Sequence, residues 1–258
     1  MSTEQFGVDG DVAIVTGASQ GIGKVIAERF ADDGLNVVVC SRDMDNVGPV
    51  ADGINDSDRP GSANPLECDV TDREDVESLV EATVEEFGGL DVLVNNAGAS
   101  FMVGFDDLSP NGWSTVVEIN LTGTYHCCQV AAPHLKEGGG SVVNFSSVAG
   151  QQGAPYMSHY AAAKAAVINL TSTMAFEWAG DGVRVNCVAP GFVATPGLAS
   201  QMGISADDVD RDEVDRRIGL SEEIADVTQF LASRAASFVT GETVSPRGVP
   251  DIMEEPEL

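Results

Sequence analysis

Short apolar runs alternate with helical patterns along most of the chain. Residues 11–16 ("DVAIVT") read as a buried strand, followed by a glycine-rich turn and an amphipathic helix over residues 21–33. Then come "NVVVCS", a weaker helix, "NPLECD" and a strongly periodic helix over residues 72–87. "LDVLVNN", "GSVVNFSS" and "VRVNCVAP" supply further strands, with "GETVSP" a last one. Near-continuous valine and isoleucine runs suit strands covered on both faces, because a strand with one wet face alternates with polar residues. The pattern predicts an α/β fold: a single doubly wound parallel sheet with helices on both faces. No repeat or interdomain linker interrupts it, so residues 1–258 are expected to form one domain. The least regular stretch, residues 195–219, is polar and acidic; a loop of that size in a compact domain is expected to cover a site.

Composition narrows the partners. The chain has 41 acidic against 13 basic residues, a net charge of −28. Phosphate-backbone and anionic-membrane contacts need clustered Lys and Arg, so neither nucleic acid nor membrane is an expected partner. The acidity is dispersed along segments such as "DREDVESLVEATVEEF" rather than gathered in a block, as on a halophilic surface where salt screens the self-repulsion. No apolar run approaches the ~18 residues of a membrane span, and the N-terminus lacks a basic n-region and an apolar h-region, so a cytoplasmic protein is expected. Cys40, Cys68, Cys127, Cys128 and Cys187 lie in apolar stretches without Cys-x-x-Cys spacing and read as reduced, buried thiols rather than a metal site.

"TGASQGIG", residues 16–23, directly follows the first strand and opens a helix. Glycines at 17, 21 and 23 let backbone approach a pyrophosphate, whose charge the helix N–H groups stabilise; a tight structural turn would use the same residues. The second strand ends in Ser41 and Arg42, where an Asp would bind a ribose 2′-hydroxyl. Arginine suits a 2′-phosphate, so NADP(H) is favoured, with NAD(H) possible; the competing reading pairs Arg42 with Asp43 at the surface. Asp69 could accept a hydrogen bond from the adenine amino group or cap the helix that begins near Asp72.

Tyr160 and Lys164 stand i and i+4 in "SHYAAAK", on one helix face. Free tyrosine titrates near ~10, and a neighbouring ammonium is expected to lower that value by stabilising the phenolate. With three tyrosines and three lysines in 258 residues, chance gives about 0.03 such pairs. His159 is one helical step, about 100°, from Tyr160 and is read as structural or substrate-facing.

"TGASQGIG", "NNAG" (95–98), Asn120, "NFSS", "YAAAK" and "PGFVATP" (190–196), in this order, resemble the short-chain dehydrogenases/reductases over about residues 11–241. The resemblance implies a Rossmann-like fold and hydride transfer between a nicotinamide and a carbonyl/alcohol pair. It casts Tyr160 as general acid and base, with Lys164 lowering its pKa and bonding the nicotinamide ribose. Ser147, placed by the family's thirteen-residue spacing, polarises the substrate carbonyl, while Ser146 points the other way. Asn120 holds a water in the proton relay. The resemblance also sets Gly17, Ser19, Gln20, Gly21, Ile22, Gly23, Ser41, Arg42, Asp69 and Val70 along the cofactor. Asn95, Asn96, Ala97 and Gly98 follow on its adenosine side. Pro190, Gly191, Val193 and Thr195 lie near the carboxamide. Where many relatives end in a strand and "DGG", this chain reads "TVSPRGVPDIMEEPEL", which leaves the pocket edge and the irregular tail (246–258) open.

The helix over residues 160–176 is apolar or small nearly all round and must be covered on more than its sheet-facing side. Pairing it with its symmetry mate and with the similar segment "VVEINLTGTYHCCQVAAPHL" predicts a homotetramer. The leading expectation is an NADP(H)-dependent carbonyl reductase or alcohol dehydrogenase acting on a small molecule. An enoyl-CoA or β-ketoacyl-CoA reductase is the alternative within the family. A silent cofactor-binding sensor or scaffold is the alternative outside catalysis, disfavoured because a sensor needs no proton relay.

Overall fold

The computed structural model describes residues 3–216 and 218–249. Seven strands form one parallel sheet: β1 (Val12–Thr16), β2 (Asn36–Ser41), β3 (Ser62–Glu67), β4 (Val92–Asn95), β5 (Ser141–Phe145), β6 (Arg184–Val188) and, after two short strands outside it, β9 (Thr243–Val244). Their order is β3-β2-β1-β4-β5-β6-β9, every neighbouring pair parallel. All five residues of β1, β5 and four of β2 are buried, which is why those stretches show no polar alternation.

Successive strand residues point to opposite faces, and each face has its own core. Ala13 and Val15 pack with α1 (Gly21–Asp32), α2 (Met44–Asn55) and α9 (Ser221–Ala232). Val12 and Ile14 pack with α3 (Arg73–Phe87), α5 (Gly123–Gly138) and α7 (Ser158–Trp178). Phe30 and Ile26 of α1 are fully buried; removing a ring like that of Phe30 costs about 3–5 kcal/mol. The doubly wound arrangement expected from the sequence is therefore present. Strand order reverses between β1 and β4, and a crevice opens at the carboxyl ends of the strands there.

Three local expectations differ. β3 runs two residues earlier than "NPLECD" suggests, because Asn36 and Ser41 of β2 pair with Ser62 and Glu67. The stretch after residue 195 is more regular than expected. It contains α8 (Pro196–Met202), and β7 (Phe192–Ala194) pairs with β8 (Ile218–Leu220) in a separate two-stranded ladder. The signal for α8 was Thr195-Pro196, an N-cap followed by proline at the first helical position. Asn120 lies not in a regular helix but in a π-turn, Glu118–Thr122, between α4 (Pro110–Val117) and α5. Of the tail, residues 246–249 are described and the remainder lies outside the described residues.

Candidate active site

The crevice is a cavity of about 630 Å³. Its floor is the turn after β1, where Gly17 and Gly21 have φ of +64° and +55°. A β-carbon on Gly17 would stand 2.8 Å from the Ala97 Cα, so the turn and the end of β4 touch backbone to backbone. Thr16 and Asn96 lock that contact. The Thr16 hydroxyl accepts from the Asn96 and Ala97 amides (both 3.1 Å), and the Asn96 side chain donates to the Thr16 and Gly17 carbonyls (3.0 and 2.9 Å). Gln20 caps α1 without a side-chain bond, leaving the first-turn N–H groups facing the crevice, the arrangement that receives a phosphate.

Ser41, Arg42, Asp43 and Asn46 line the far end. Asp43 does not claim Arg42. Its carboxylate caps α2, accepting from the Asp45 amide (2.9 Å) and the Asn46 side chain (3.1 Å), while Arg42 stands exposed on the wall. Asp69 also faces the cavity, accepting from the Thr71 amide and hydroxyl. The capping alternative for Asp69 falls, because α3 is capped by Asp72.

Ser19, Ile22, Val70, Ala97, Gly98 and Thr195 line the cavity as expected. Gly23, Pro190, Gly191 and Val193 do not. Gly23 is a packing glycine: a β-carbon there would meet Asn96 Nδ2 at 2.4 Å. Val193 is core; the Pro190 carbonyl accepts from the Val148 amide, and Gly191 donates to the Pro246 carbonyl. Asn95 also lies behind the wall, donating to Asn144 Oδ1 at 2.8 Å between β4 and β5. Cavity residues unanticipated from sequence include Ile119, Pro196 and Gly197. Ile119 shares the π-turn with Asn120, and the other two follow from the overlooked N-cap of α8.

The four reactive candidates form a chain of neighbours: Asn120 and Lys164 at Gly98, Tyr160 beside Lys164, and Ser147 beside Tyr160. Asn120 is fully buried; its amide donates to the Ala99 and Val116 carbonyls (2.7 and 2.8 Å), and its Oδ1 has no partner among the described residues. Lys164 is buried, and its ammonium donates to the Phe145 carbonyl (2.8 Å). Ser147 caps α6 (Val148–Gln152), accepting from the Ala149 amide at 3.2 Å, and stands beside Tyr160, whose phenol pKa it pulls down. Ser146 turns inward to donate to the Lys164 carbonyl (2.7 Å), as expected of the strand-end neighbour.

The electrostatics correct one expectation. Burial raises the Tyr160 pKa, and the opposing pull comes from the Ser147 hydroxyl rather than from Lys164. The reason is placement: the ammonium lies 5.6 Å from the Tyr160 ring centroid, with a proton given to Phe145. Burial also pushes Lys164 itself down to about 8. A protonated phenol beside a readily titrated amine makes a proton donor at neutral pH. His159, fully buried and edge-on to Phe101 at 4.5 Å, takes the structural place.

Comparison with known proteins agrees with this geometry. Residues 17–246 match a family model described as enoyl-(acyl carrier protein) reductase. A 3-oxoacyl-[acyl-carrier-protein] reductase of Thermotoga maritima is 37% identical over 93% of this chain and 98% of its own. A cis-4-hydroxycyclohexanecarboxylate dehydrogenase of Sinomonas cyclohexanicum is 40% identical over 92% and 95%. A short-chain type dehydrogenase/reductase from Mycobacterium marinum superposes with a TM-score of 0.85 at 33% identity, covering 95% of this chain and 97% of that one.

Proposed function

The chain belongs to the short-chain dehydrogenase/reductase family, and from that premise we propose that it is an NADPH-preferring carbonyl reductase or alcohol dehydrogenase. The reading is supported above all by Gly98, which lines the crevice and beside which the unpartnered Asn120 oxygen and the Lys164 ammonium both lie. The crevice suits the cofactor: the open N–H groups of α1 meet the pyrophosphate, Asp69 the adenine, and Arg42 a 2′-phosphate. When bound, the nicotinamide supplies or takes the hydride.

The chain's own residues handle the proton. In reduction the Ser147 hydroxyl donates to the carbonyl oxygen and stabilises its developing charge, and Tyr160 gives that oxygen its proton as the alcohol forms. Lys164 returns a proton to Tyr160, and the Asn120 oxygen, an acceptor beside Gly98, holds the water that passes a proton on to Lys164. Oxidation runs these steps backwards.

A second reading, reduction of a thioester-borne β-keto group, is favoured by the likeness to the 3-oxoacyl-[acyl-carrier-protein] reductase of Thermotoga maritima. A panel of free ketones, β-ketoacyl thioesters and enoyl thioesters, assayed with NADPH and NADH in molar salt, separates the two. Tyr160→Phe decides the mechanism: turnover is expected to fall ~10²–10⁴-fold with NADPH affinity unchanged, and retained turnover would refute it.

Assembly as a homotetramer of one-domain subunits in the cytoplasm completes the reading. The outward row of α7, with Ala162, Ala165, Asn169, Ser172 and Thr173 exposed, ends in Phe176 at 87% exposure, a surface suited to a helix from a second subunit. Sedimentation in molar salt, matched to a halophilic habitat, is expected to give four subunits; a monomer would reject it.

A further inference from the structure

The excursion between β7 and β8 leaves the crevice wall at Thr195 and returns to the β7 ladder at Ile218. Its outer part, residues 203–216, carries six carboxylates, Asp207, Asp208, Asp210, Asp212, Glu213 and Asp215. Packed together, like charges of that number drive a segment away from the body. Among the described residues two arginines of the segment oppose this, Arg211 through Asp226 and, at the return point, Arg216 through Glu223.

We infer that Arg216 is a positioning residue that latches this excursion over the substrate side of the site, an inference that rests on the crevice being the reductase site. All five guanidinium N–H groups are engaged, the full capacity of an arginine. Nη1 donates to Glu223 Oε2 (2.7 Å) and the Ile218 carbonyl (3.0 Å). Nη2 donates to Glu223 Oε1 and the Arg211 carbonyl, and Nε to the Glu213 carbonyl (3.0 Å). The fork thus grips Glu223 with both arms while gathering three carbonyls of its own segment. Glu223 is held in turn, accepting from the Leu220 amide (2.9 Å) in the first turn of α9.

Two lines of contact run on from the latch. Arg211 pairs with Asp226 of α9 (3.3 Å), which also pairs with Arg29 of α1 (2.7 Å), the helix that opens at the glycine turn. The Arg216 carbonyl accepts from the Val249 amide (3.2 Å). The segment leading to Val249 receives the Gly191 amide on its Pro246 carbonyl, and its Ser245 bonds Gln151 in the helix that Ser147 caps. Substrate loop, C-terminal segment and serine helix therefore form one connected wall, and Arg216 is where the loop joins it.

The test uses Arg216→Gln, Arg216→Lys and Glu223→Gln in the full chain. Glu223→Gln keeps an acceptor for the Leu220 amide and so serves if the arginine variants fold poorly. Cleavage after Glu213 by a glutamate-specific protease, with NADPH present, is expected to quicken at least ~10-fold in Arg216→Gln and Glu223→Gln, since cleavage follows the open population. On the best carbonyl substrate, KM is expected to rise ~10-fold with kcat within about twofold, and NADPH affinity to hold within about threefold. Lysine, lacking the fork, restores only part. Unchanged cleavage and KM, or a loss confined to kcat, would overturn the latch. If no carbonyl compound is turned over, the proposed reaction fails while the protease result still decides the latch.

Discussion

The Asn120 side-chain oxygen and the Lys164 ammonium nitrogen meet at one glycine: a β-carbon on Gly98 would stand 2.8 Å from the first and 3.5 Å from the second. Gly98→Ala therefore places a methyl group between the two. We expect kcat/KM to fall ~10–100-fold, the scale of an ångström's misplacement at a reacting centre, with NADPH still bound. Steady-state kinetics with a fluorescence titration of NADPH checks this. Unaltered kinetics would remove the Asn120 oxygen from the relay.

The titration of the site follows from burial. Tyr160, its pKa raised, stays protonated through the neutral range, so reduction is limited by the reprotonating amine, which loses its proton around pH 8. The kcat for reduction is expected to be level below that point and to fall by up to about tenfold per pH unit above it, with oxidation moving oppositely. A profile level to pH 10 would show that Lys164 does not titrate in turnover.

Arg42 is expected to read the 2′-phosphate. Arg42→Asp should weaken NADPH by roughly 10–100-fold, the worth of a charged hydrogen bond, and improve NADH. Ratios of kcat/KM for the two cofactors measure the shift. An unmoved ratio would place phosphate recognition on another residue.

Stability at high pH is a contest between thiols and one amine. Cys127, Cys128 and Cys187 have pKa values raised by burial, Cys128 to about 12 and Cys187 to about 11; the free thiol of Cys40 is raised chiefly by its neighbour Cys68 and then by burial. These groups ionise in the unfolded chain from about pH 9 while the folded state keeps them protonated, so their contribution is present below 9 and lost as pH rises towards their folded values. Lys164 acts oppositely, its folded value of about 8 lying under 10.5, and adds stability across that window. Four thiols outweigh one amine. Calorimetry under reductant should show the melting temperature falling above pH 9, each thiol contributing roughly 1 kcal/mol per pH unit, and Cys127→Ala should flatten the fall. A melting temperature constant to pH 11 would contradict these assignments.

The sheet was legible because Val12–Thr16 and its parallel partners are buried on both faces, and such strands announce themselves as unbroken apolar runs. The closeness of Tyr160 and Lys164 was legible because they share a helix, where spacing alone places them together. The direction of the tyrosine shift was not, since it depends on where the ammonium points and how little water reaches the phenol. Nor was the π-turn at Asn120, where one extra backbone residue per turn leaves no mark in the pattern of side chains. The β7–β8 ladder escaped because three-residue strands joined across residues 195–217 have no periodicity to show. Pro190 and Gly191 were placed on the crevice by resemblance, whereas Pro190 bonds the Val148 amide and Gly191 meets the tail segment, whose course no pattern foretold.

That tail segment touches Gln151, Gly191 and Arg216 but makes no bond to Asn120, Ser147, Tyr160 or Lys164 among the described residues. On the proposed function, changes in residues 245–249 reshape what enters while leaving intact the groups assigned to the proton transfer. In a lineage, or in a directed-evolution library, new substrate preferences would on this reading accumulate in that segment before they touched Tyr160.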